Sequence, residues 1–321
     1  MNKPKVLGAL TIYEKYCENS KKMLEQAGFE VVTYGATPIM PKEEILKHAP
    51  NLYGAIVGTE EWSEDILEAC PNLKIVARFG AGVDNIDLDA AKRLGIKVIN
   101  ARGANSDSVA EATIMLVLSC LRNLLLLDRT TREGGWIRKP GNIIRGKTYG
   151  LVGFGAIAQY VAKLLESFEV EKIYAYDIVQ NHDAAAKYNV TFTDMNTLIK
   201  ESDIISLHVP STSETEKLFS KNEFELMKNT AILVNVARGN VVDEVALYEA
   251  LKMKKIAAAG LDVFAVEPTS ADNPLFALDN VTVMPHITAD TYETFEAVGK
   301  FCAQAIIDNY NGKEPPNWLN A

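Results

Sequence analysis

From Lys5 to Met284 the chain alternates short, β-branched apolar runs with amphipathic segments of helical period, and few architectures accommodate that alternation. Strands that each feed a helix before the next strand pair in parallel, with helices covering both faces of the sheet. The first third predicts strands over 5–10, 30–34, 55–59, 73–78 and 97–100, with helices near 16–27, 42–48, 63–69 and 88–94. Gly28 and Gly95 close two of these helices as C-cap glycines. Five strands in this stretch make a complete small doubly wound sheet. A long helix is then predicted from Ser106 through Leu127, followed by a loop containing Gly134-Gly135-Trp136 and Pro140-Gly141. A second series starts at Thr148, with strands over 149–153, 172–177, 191–192, 204–209, 231–235, 257–262 and 281–284. The last helix, about 291–309, has no further strand of that sheet to feed, so it is expected to return to the first domain. No internal repeat or low-complexity tract interrupts the pattern.

With 321 residues the chain exceeds the usual single core, and two domains are expected. A formal net charge of −9 argues against nucleic acid, because phosphate binding needs a basic surface. An anionic small substrate stays compatible, since one buried arginine reverses the local field. The most apolar stretch, Ala112 to Leu127, is interrupted by Arg122 and is too short to span a bilayer, so it is read as a core or interface helix. The start shows no signal-peptide pattern. Cys17, Cys70, Cys120 and Cys302 are far apart and lack metal-ligand spacing, which fits reduced thiols in a cytoplasmic protein without a metal site.

The stretch from Thr148 to Ser167 is a strand, then Gly153-Phe154-Gly155-Ala156-Ile157-Ala158, then a helix. In such a turn the first glycine permits the sharp bend and the second lets the backbone approach a pyrophosphate. A small third residue lets helix and strand pack closely. The helix N-terminus offers unpaired N–H groups to the phosphates. The next strand, Lys172 to Asp177, ends in an acid 22 residues after Gly155, placed to accept hydrogen bonds from ribose hydroxyls. Asp177 would repel a 2′-phosphate and no arginine or lysine closely follows, so NAD is expected over NADP.

Three polar residues fall at or just beyond consecutive strand ends. Arg238 follows the buried run Ala231 to Ala237, His286 follows Val281 to Pro285, and Glu267 lies five residues beyond Asp262. Open α/β sheets bind ligands at the carboxyl ends of their strands. Reducing a 2-oxo acid needs a hydride donor, a cation for the carboxylate and a proton donor for the carbonyl oxygen. An arginine fork supplies the second and a glutamate-paired imidazole the third. Singly, each residue reads equally well as a surface ion pair, a cap or a solvated acid; together beside a dinucleotide turn they point to catalysis. His208, in Ile204 to Pro210, ends a strand and is either a lining of the cofactor cleft or a satisfied structural histidine, whereas His48 and His182 read as surface residues.

With these residues in view the chain resembles the D-isomer-specific 2-hydroxyacid dehydrogenases, of the phosphoglycerate dehydrogenase, glyoxylate/hydroxypyruvate reductase and D-lactate dehydrogenase kind. The matching stretches are 80–87, Ser108-Val-Ala-Glu111, 153–158, 202–210, 235–239, 261–264, Glu267-Pro268 and Pro285-His286-Ile287. The resemblance implies two doubly wound α/β domains. A Rossmann NAD-binding domain, 105–289, is inserted into a flavodoxin-like substrate domain formed by 1–104 and 290–321. It implies Arg238, Glu267 and His286 as catalytic residues. Cofactor contacts would come from Gly153, Gly155, Ala156, Ile157, Asp177, His208, Pro210, Val236, Ala237, Arg238, Asp262, His286 and Ala289. The substrate would meet Gly58, Ala81, Gly82, Arg238 and His286. Trp136 is a candidate to reach a partner's active site in a homodimer, or else a plain core or interface tryptophan.

Two departures matter. Ala158 stands where a glycine is commoner, and Val57-Gly-Thr-Glu-Glu61 carries two acids where phosphoglycerate-using relatives look similar to Arg-Ser. The expectation is therefore an NAD-dependent reductase of an unphosphorylated, glyoxylate- or hydroxypyruvate-like 2-oxo acid. Phosphoglycerate dehydrogenase is the alternative, and an NAD-sensing scaffold resembling the C-terminal-binding-protein corepressors is a further one. Because the chain stops at Ala321, no C-terminal regulatory domain of the serine-inhibited relatives is expected.

Overall fold

A computed structural model describes residues 3–37 and 39–321; Met1 and Asn2, part of the start read above for a signal peptide, lie outside it, as does Pro38. The chain divides into two compact units, one formed by residues 1–105 and 290–321 and the other by 106–289. In the first unit the strands β1 (Lys5–Gly8), β2 (Glu30–Thr33), β3 (Leu52–Val57), β4 (Ile75–Arg78) and β5 (Lys97–Asn100) pair in parallel in the order β2-β1-β3-β4-β5. Helices α1 (Thr11–Tyr16), α2 (Glu18–Gln26), α3 (Lys42–His48), α4 (Glu64–Glu68) and α5 (Leu88–Arg93) connect them. Central strands such as β3 are buried on both faces, which is why they read as unbroken apolar runs.

The second unit starts with α6 (Ser106–Leu121) and α7 (Leu124–Arg132). Its seven strands are β6 (Thr148–Val152), β7 (Lys172–Tyr176), β8 (Val190–Phe192), β9 (Ile204–Leu207), β10 (Ile232–Asn235), β11 (Ala258–Leu261) and β12 (Val281–Val283). They pair in parallel in the order β12-β11-β10-β9-β6-β7-β8, so the order reverses between β6 and β9. Helices α8 (Ala156–Leu165), α9 (His182–Lys187), α10 (Met195–Glu201), α11 (Lys221–Leu226) and α12 (Glu244–Lys252) cover the sheet. Gly260 on β11 lets α6 press against the sheet, for a methyl group there would lie 3.1 Å from Leu116 Cβ. Among the described residues no single helix is long and apolar enough to cross a membrane.

The chain then re-enters the first unit. There α13 (Tyr292–Tyr310) packs on α2, where Ser20 Oγ donates to the carbonyl of Gly299 at 2.8 Å. The final residues cover the free edge of β5: Leu319 N donates to Val98 O, and Asn320 accepts from Val98 N and donates to Ile96 O. An exposed strand edge is a pairing hazard, and this tail occupies it.

Two predicted elements differ in the structure. The single helix expected from Ser106 through Leu127 breaks after Leu121, where Asn123 takes a left-handed conformation (φ 51°) and the two helices bend by 65°. Asparagine tolerates that conformation, whereas the apolar residues around it carry no signal of a break. The helix predicted over 16–27 is preceded by a separate short helix, α1. His182 is exposed, but His48 is half-buried, contrary to its surface reading, and burial lowers its pKa. The cysteines are free, and burial pushes the thiols of Cys17 and Cys120 up to about 12 and that of Cys70 up to about 11.

Asn320 has 9% of its surface exposed, and its replacement leaves the Val98 N–H and the Ile96 carbonyl without partners. Asn320→Ala is expected to destabilise the first unit by about 1–3 kcal/mol, read as a lower urea midpoint for that unit's transition. An unchanged midpoint would contradict this role for the tail.

Candidate active site

At the end of β6, Gly153 turns the chain with φ +87°, and a Cβ there would lie 2.8 Å from the carbonyl of His208. Only glycine satisfies both constraints. Gly155 is the N-cap of α8, and a Cβ added to it would meet nothing within 4 Å, so the helix N-terminus opens onto free space of the kind a phosphate needs. Ala156 is exposed and Ile157 half-buried beside it, while Ala158 is fully buried, so its methyl fits the core. Asp177, just past β7, accepts from Phe154 N at 2.6 Å with Oδ2 and from Val179 N at 2.9 Å with Oδ1. The carboxylate is thereby fixed against the glycine turn, and each oxygen keeps a lone pair for a ribose hydroxyl. Ile178 and Val179 are exposed apolar residues with no charge to offer a 2′-phosphate. These features fit a dinucleotide of the NAD type.

His208 and Pro210 follow β9. His208 serves the turn through its backbone carbonyl, whereas its ring bonds Ser206 Oγ through Nε2 at 2.8 Å and buries Nδ1. Burial pushes its pKa down to about 3, so the imidazole is neutral. The buried Nδ1 has no hydrogen-bond partner, so the ring is not the satisfied structural histidine that is one of its two readings.

The ends of β10, β11 and β12 carry the three polar residues. After β10, Val236 and Ala237 are buried, Asn235 holds the turn by accepting from Ala237 N and donating to Arg238 O, and Arg238 Nη1 donates to Ala237 O at 2.7 Å. After β12, His286 sits in the left-handed region with φ 55°, a strained conformation for histidine. What holds it there is Asp262, fully buried at the end of β11. Its carbonyl accepts from His286 N at 2.7 Å, and its carboxylate accepts from Ile287 N, Thr288 N and Thr288 Oγ1. Ala289 follows that turn, half-buried.

His286 Nδ1 and Glu267 Oε2 lie 2.6 Å apart, with roughly two fifths of each side chain exposed (43% and 35%). Glu267 Oε1 also accepts from Phe264 N. Burial alone would raise the Glu267 carboxyl, but the His286 and Phe264 hydrogen bonds and the charges of His286 and Arg238 outweigh it, leaving the carboxyl below its ordinary range. The structure thus joins Glu267 to His286 and puts Arg238 within electrostatic reach of both. A carboxylate on Nδ1 fixes the ring and leaves Nε2 to exchange a proton.

Gly58, Ala81 and Gly82 belong to the first unit. Gly58 is buried after β3, and the carbonyl of Ala81 accepts from Asn100 Nδ2. Glu60, read as one of two charges opposing a phosphate, proves to be buried. Its carboxylate accepts from Gly58 N at 2.9 and 3.0 Å and from Trp62 Nε1 at 3.3 Å, and burial raises its pKa despite those bonds and the Arg78 charge. Glu61 is exposed.

Residues 114–288 match the family model described as D-isomer specific 2-hydroxyacid dehydrogenase, NAD binding domain. The chain is 44% identical to a D-3-phosphoglycerate dehydrogenase of Archaeoglobus fulgidus over 88% of its own length and 54% of that protein's. It is 44% identical to a hydroxypyruvate reductase of Thermotoga maritima over 81% of itself and 85% of that protein. The chain belongs to the D-isomer-specific 2-hydroxyacid dehydrogenases. Its fold matches the apo-structure of Escherichia coli D-lactate dehydrogenase with a TM-score of 0.84 at 29% identity, covering 98% and 99% of the two chains. It spans about half the length of the Archaeoglobus relative.

In this family member Asp262 was legible only as a possible cofactor contact, whereas its carboxylate is filled by donors from the His286 turn. An acid that ends an apolar strand with no lysine or arginine within six positions is the signal that could have found this role. Asp262→Asn would set an amide N–H against the Ile287 or Thr288 donors, which costs about 1–3 kcal/mol at a buried site. The urea midpoint of the second unit's transition is expected to fall accordingly, and an unchanged midpoint would contradict it.

Proposed function

We propose that the chain is an NAD-dependent oxidoreductase that transfers a hydride between nicotinamide and a small, unphosphorylated D-2-hydroxy acid/2-oxo acid pair of the glyoxylate or hydroxypyruvate class. The observation that carries this reading is the 2.6 Å contact between His286 Nδ1 and Glu267 Oε2 beside Arg238. Arg238 binds the substrate carboxylate and draws charge from the neighbouring ketone. His286, its ring held by Glu267, delivers a proton from Nε2 to the carbonyl oxygen, and in the reverse direction removes it from the hydroxyl. Bound NADH supplies the hydride to C2. The second unit holds the cofactor through Gly153, Gly155, Ala156, Ile157, Asp177 and Val236–Arg238, and the first reads the substrate through Gly58, Ala81 and Gly82.

Reduction of phosphohydroxypyruvate is the second reading, favoured by the 44% identity to the Archaeoglobus phosphoglycerate dehydrogenase. Against it, the 58–62 loop offers no cation and commits the Gly58 N–H to Glu60. A panel of 2-oxo acids with NADH separates the readings. Glyoxylate or hydroxypyruvate should give the highest kcat/KM; preference for phosphohydroxypyruvate would favour the second, and no turnover on any would sink both. His286→Ala should lower kcat by roughly 100-fold or more, within the range of general acid–base catalysis, without weakening NADH binding. The Glu267 carboxyl is held below its ordinary 4.5, so its anion is in place above that value and is lost only as pH falls through the lower native value. The acid limb of the reduction profile should accordingly lie below about 4.5, and Glu267→Gln, which carries no titrating carboxyl, should abolish it.

The working form is a homodimer. α7 buries none of its residues, and Leu124, Leu125, Trp136, Ile137 and Ile143 expose between 47% and 84% of their surface on the segment that leads to β6. That many exposed apolar residues on one segment marks an interface, and a second copy of the chain is its occupant. Light scattering after size exclusion should give twice the 35.3 kDa chain mass, and Trp136→Glu should shift it toward monomer. A monomeric wild type would refute this assembly.

A further inference from the structure

His286 and Glu267 are held by different means. The histidine is fixed through its backbone, on the four hydrogen bonds to Asp262. Glu267 rides on a loop between β11 and the 3₁₀ turn at Pro274, and Ala265 to Pro268 are exposed, with Val266 73% exposed. The buried Phe264 anchors the start of this loop, but the exposed stretch beyond it needs a further tie to keep a carboxylate within the few tenths of an ångström that a short imidazole contact demands.

Glu244, in the first turn of α12, spans this loop. Its Oε1 accepts from Ala265 N at 2.5 Å, and its Oε2 accepts from Asn273 Nδ2 at 3.3 Å. Asn273 in turn donates to Thr269 Oγ1 and accepts from Leu275 N. The carboxylate therefore ties the start of the loop to its end. Next to the Ala265 N–H that Glu244 takes up, the Phe264 N–H is bonded to Glu267 Oε1. Gly239, directly after Arg238, has no side chain and so admits the Phe264 carbonyl, which lays the backbone after Arg238 against the loop bearing Glu267. α12 itself is anchored by Asp243, which accepts from Val245 N and Ala246 N at 3.1 Å each.

We propose that Glu244 is a positioning residue for the reaction: it clamps the 263–273 loop to α12 and thereby holds Glu267 on His286, without itself meeting substrate or cofactor. This rests on the acid/base reading of the His286–Glu267 pair given above. The charge acting on the Glu267 carboxyl from outside the pair is that of Arg238, whose cation lowers it. Glu244 adds a mechanical constraint rather than a further charge on the pair. Its job is met by any acceptor of the right length, so glutamine should do most of it and alanine none.

The test compares Glu244→Ala, Glu244→Gln and the double variant Glu244→Ala/Glu267→Gln. Glu244→Ala is expected to lose about tenfold in kcat, equivalent to about 1.4 kcal/mol, with KM for the 2-oxo acid changed less than about threefold. The acid limb of its reduction profile should rise toward the ordinary carboxylate range as Glu267 loses its hydrogen bonds, and Glu244→Gln should recover to within about threefold of wild type, because its carbonyl still accepts the Ala265 N–H. Added to Glu267→Gln, the alanine change should cost almost nothing further, as expected for two residues acting through one contact. Unmoved pH limbs, full additivity, or equal losses with glutamine and alanine would overturn the proposal. NMR of the His286 ring decides it without turnover. Loss of the resonance of the Nδ1 proton shared with Glu267 in Glu244→Ala supports the clamp and an unmoved resonance refutes it, even if the wild type reduces no 2-oxo acid and the proposed reaction is the part that fails.

Discussion

Asp262 stitches together the ends of three adjacent strands through its backbone and its carboxylate. Its backbone N–H reaches Asn235 at the end of β10, its carbonyl receives His286 N, and its side chain takes three donors from residues 287 and 288 after β12. A fully buried carboxylate is tolerable only with its lone pairs filled, and here the filling is done by the backbone that must bend to present His286. The strained φ of that histidine is stable because those bonds over-determine it. Parallel pairing brings the C-terminal ends of β10, β11 and β12 to one edge of the sheet, so Arg238, Glu267 and His286 come from segments far apart in sequence without any long excursion of the chain.

The architecture was legible because parallel sheets buried on both faces write their strands as continuous apolar runs, and because each such run feeds a helix. Strand orders with a single reversal in the second sheet follow from that alternation and from the handedness of its crossovers. The three catalytic candidates were legible only as a set: each alone had an ordinary structural reading, and it is their joint placement just past neighbouring strands beside a dinucleotide turn that points to one chemistry. The geometry adds what spacing could not give, namely which nitrogen of His286 meets Glu267 and that Arg238 acts on the same carboxylate.

Less visible were features decided by tertiary burial or by a single backbone angle. Asn123 breaks a helix whose flanks are good helix formers, since one left-handed residue redirects the chain without altering the apolar pattern around it. Glu60 looked like a solvated charge from its neighbours in sequence, yet it folds inward onto the Gly58 N–H and the Trp62 indole. Glu244 carries no signal at all in one dimension, because a glutamate in the first turn of a helix is favoured there by the dipole whatever else it touches. Side chains that satisfy backbone groups of a distant loop are determined by where that loop lies, and the sequence pattern is silent about it.

The two units divide the chemistry unequally. On the proposed reading, the groups that move a proton or hold a nicotinamide dinucleotide are built on strand ends of the second unit, where bonds to Asp262, Asp177 and Glu267 fix the backbone. Preorganised donors and acceptors of this kind cost no reorganisation during reaction. In the first unit the 58–62 loop has its own N–H committed to a buried acid, with Asn85 Nδ2 closing it onto the carbonyls of Gly58 and Glu60. A loop satisfied from within gains nothing by wrapping a dianion, and this is the physical ground for proposing an unphosphorylated acid over a phosphorylated one.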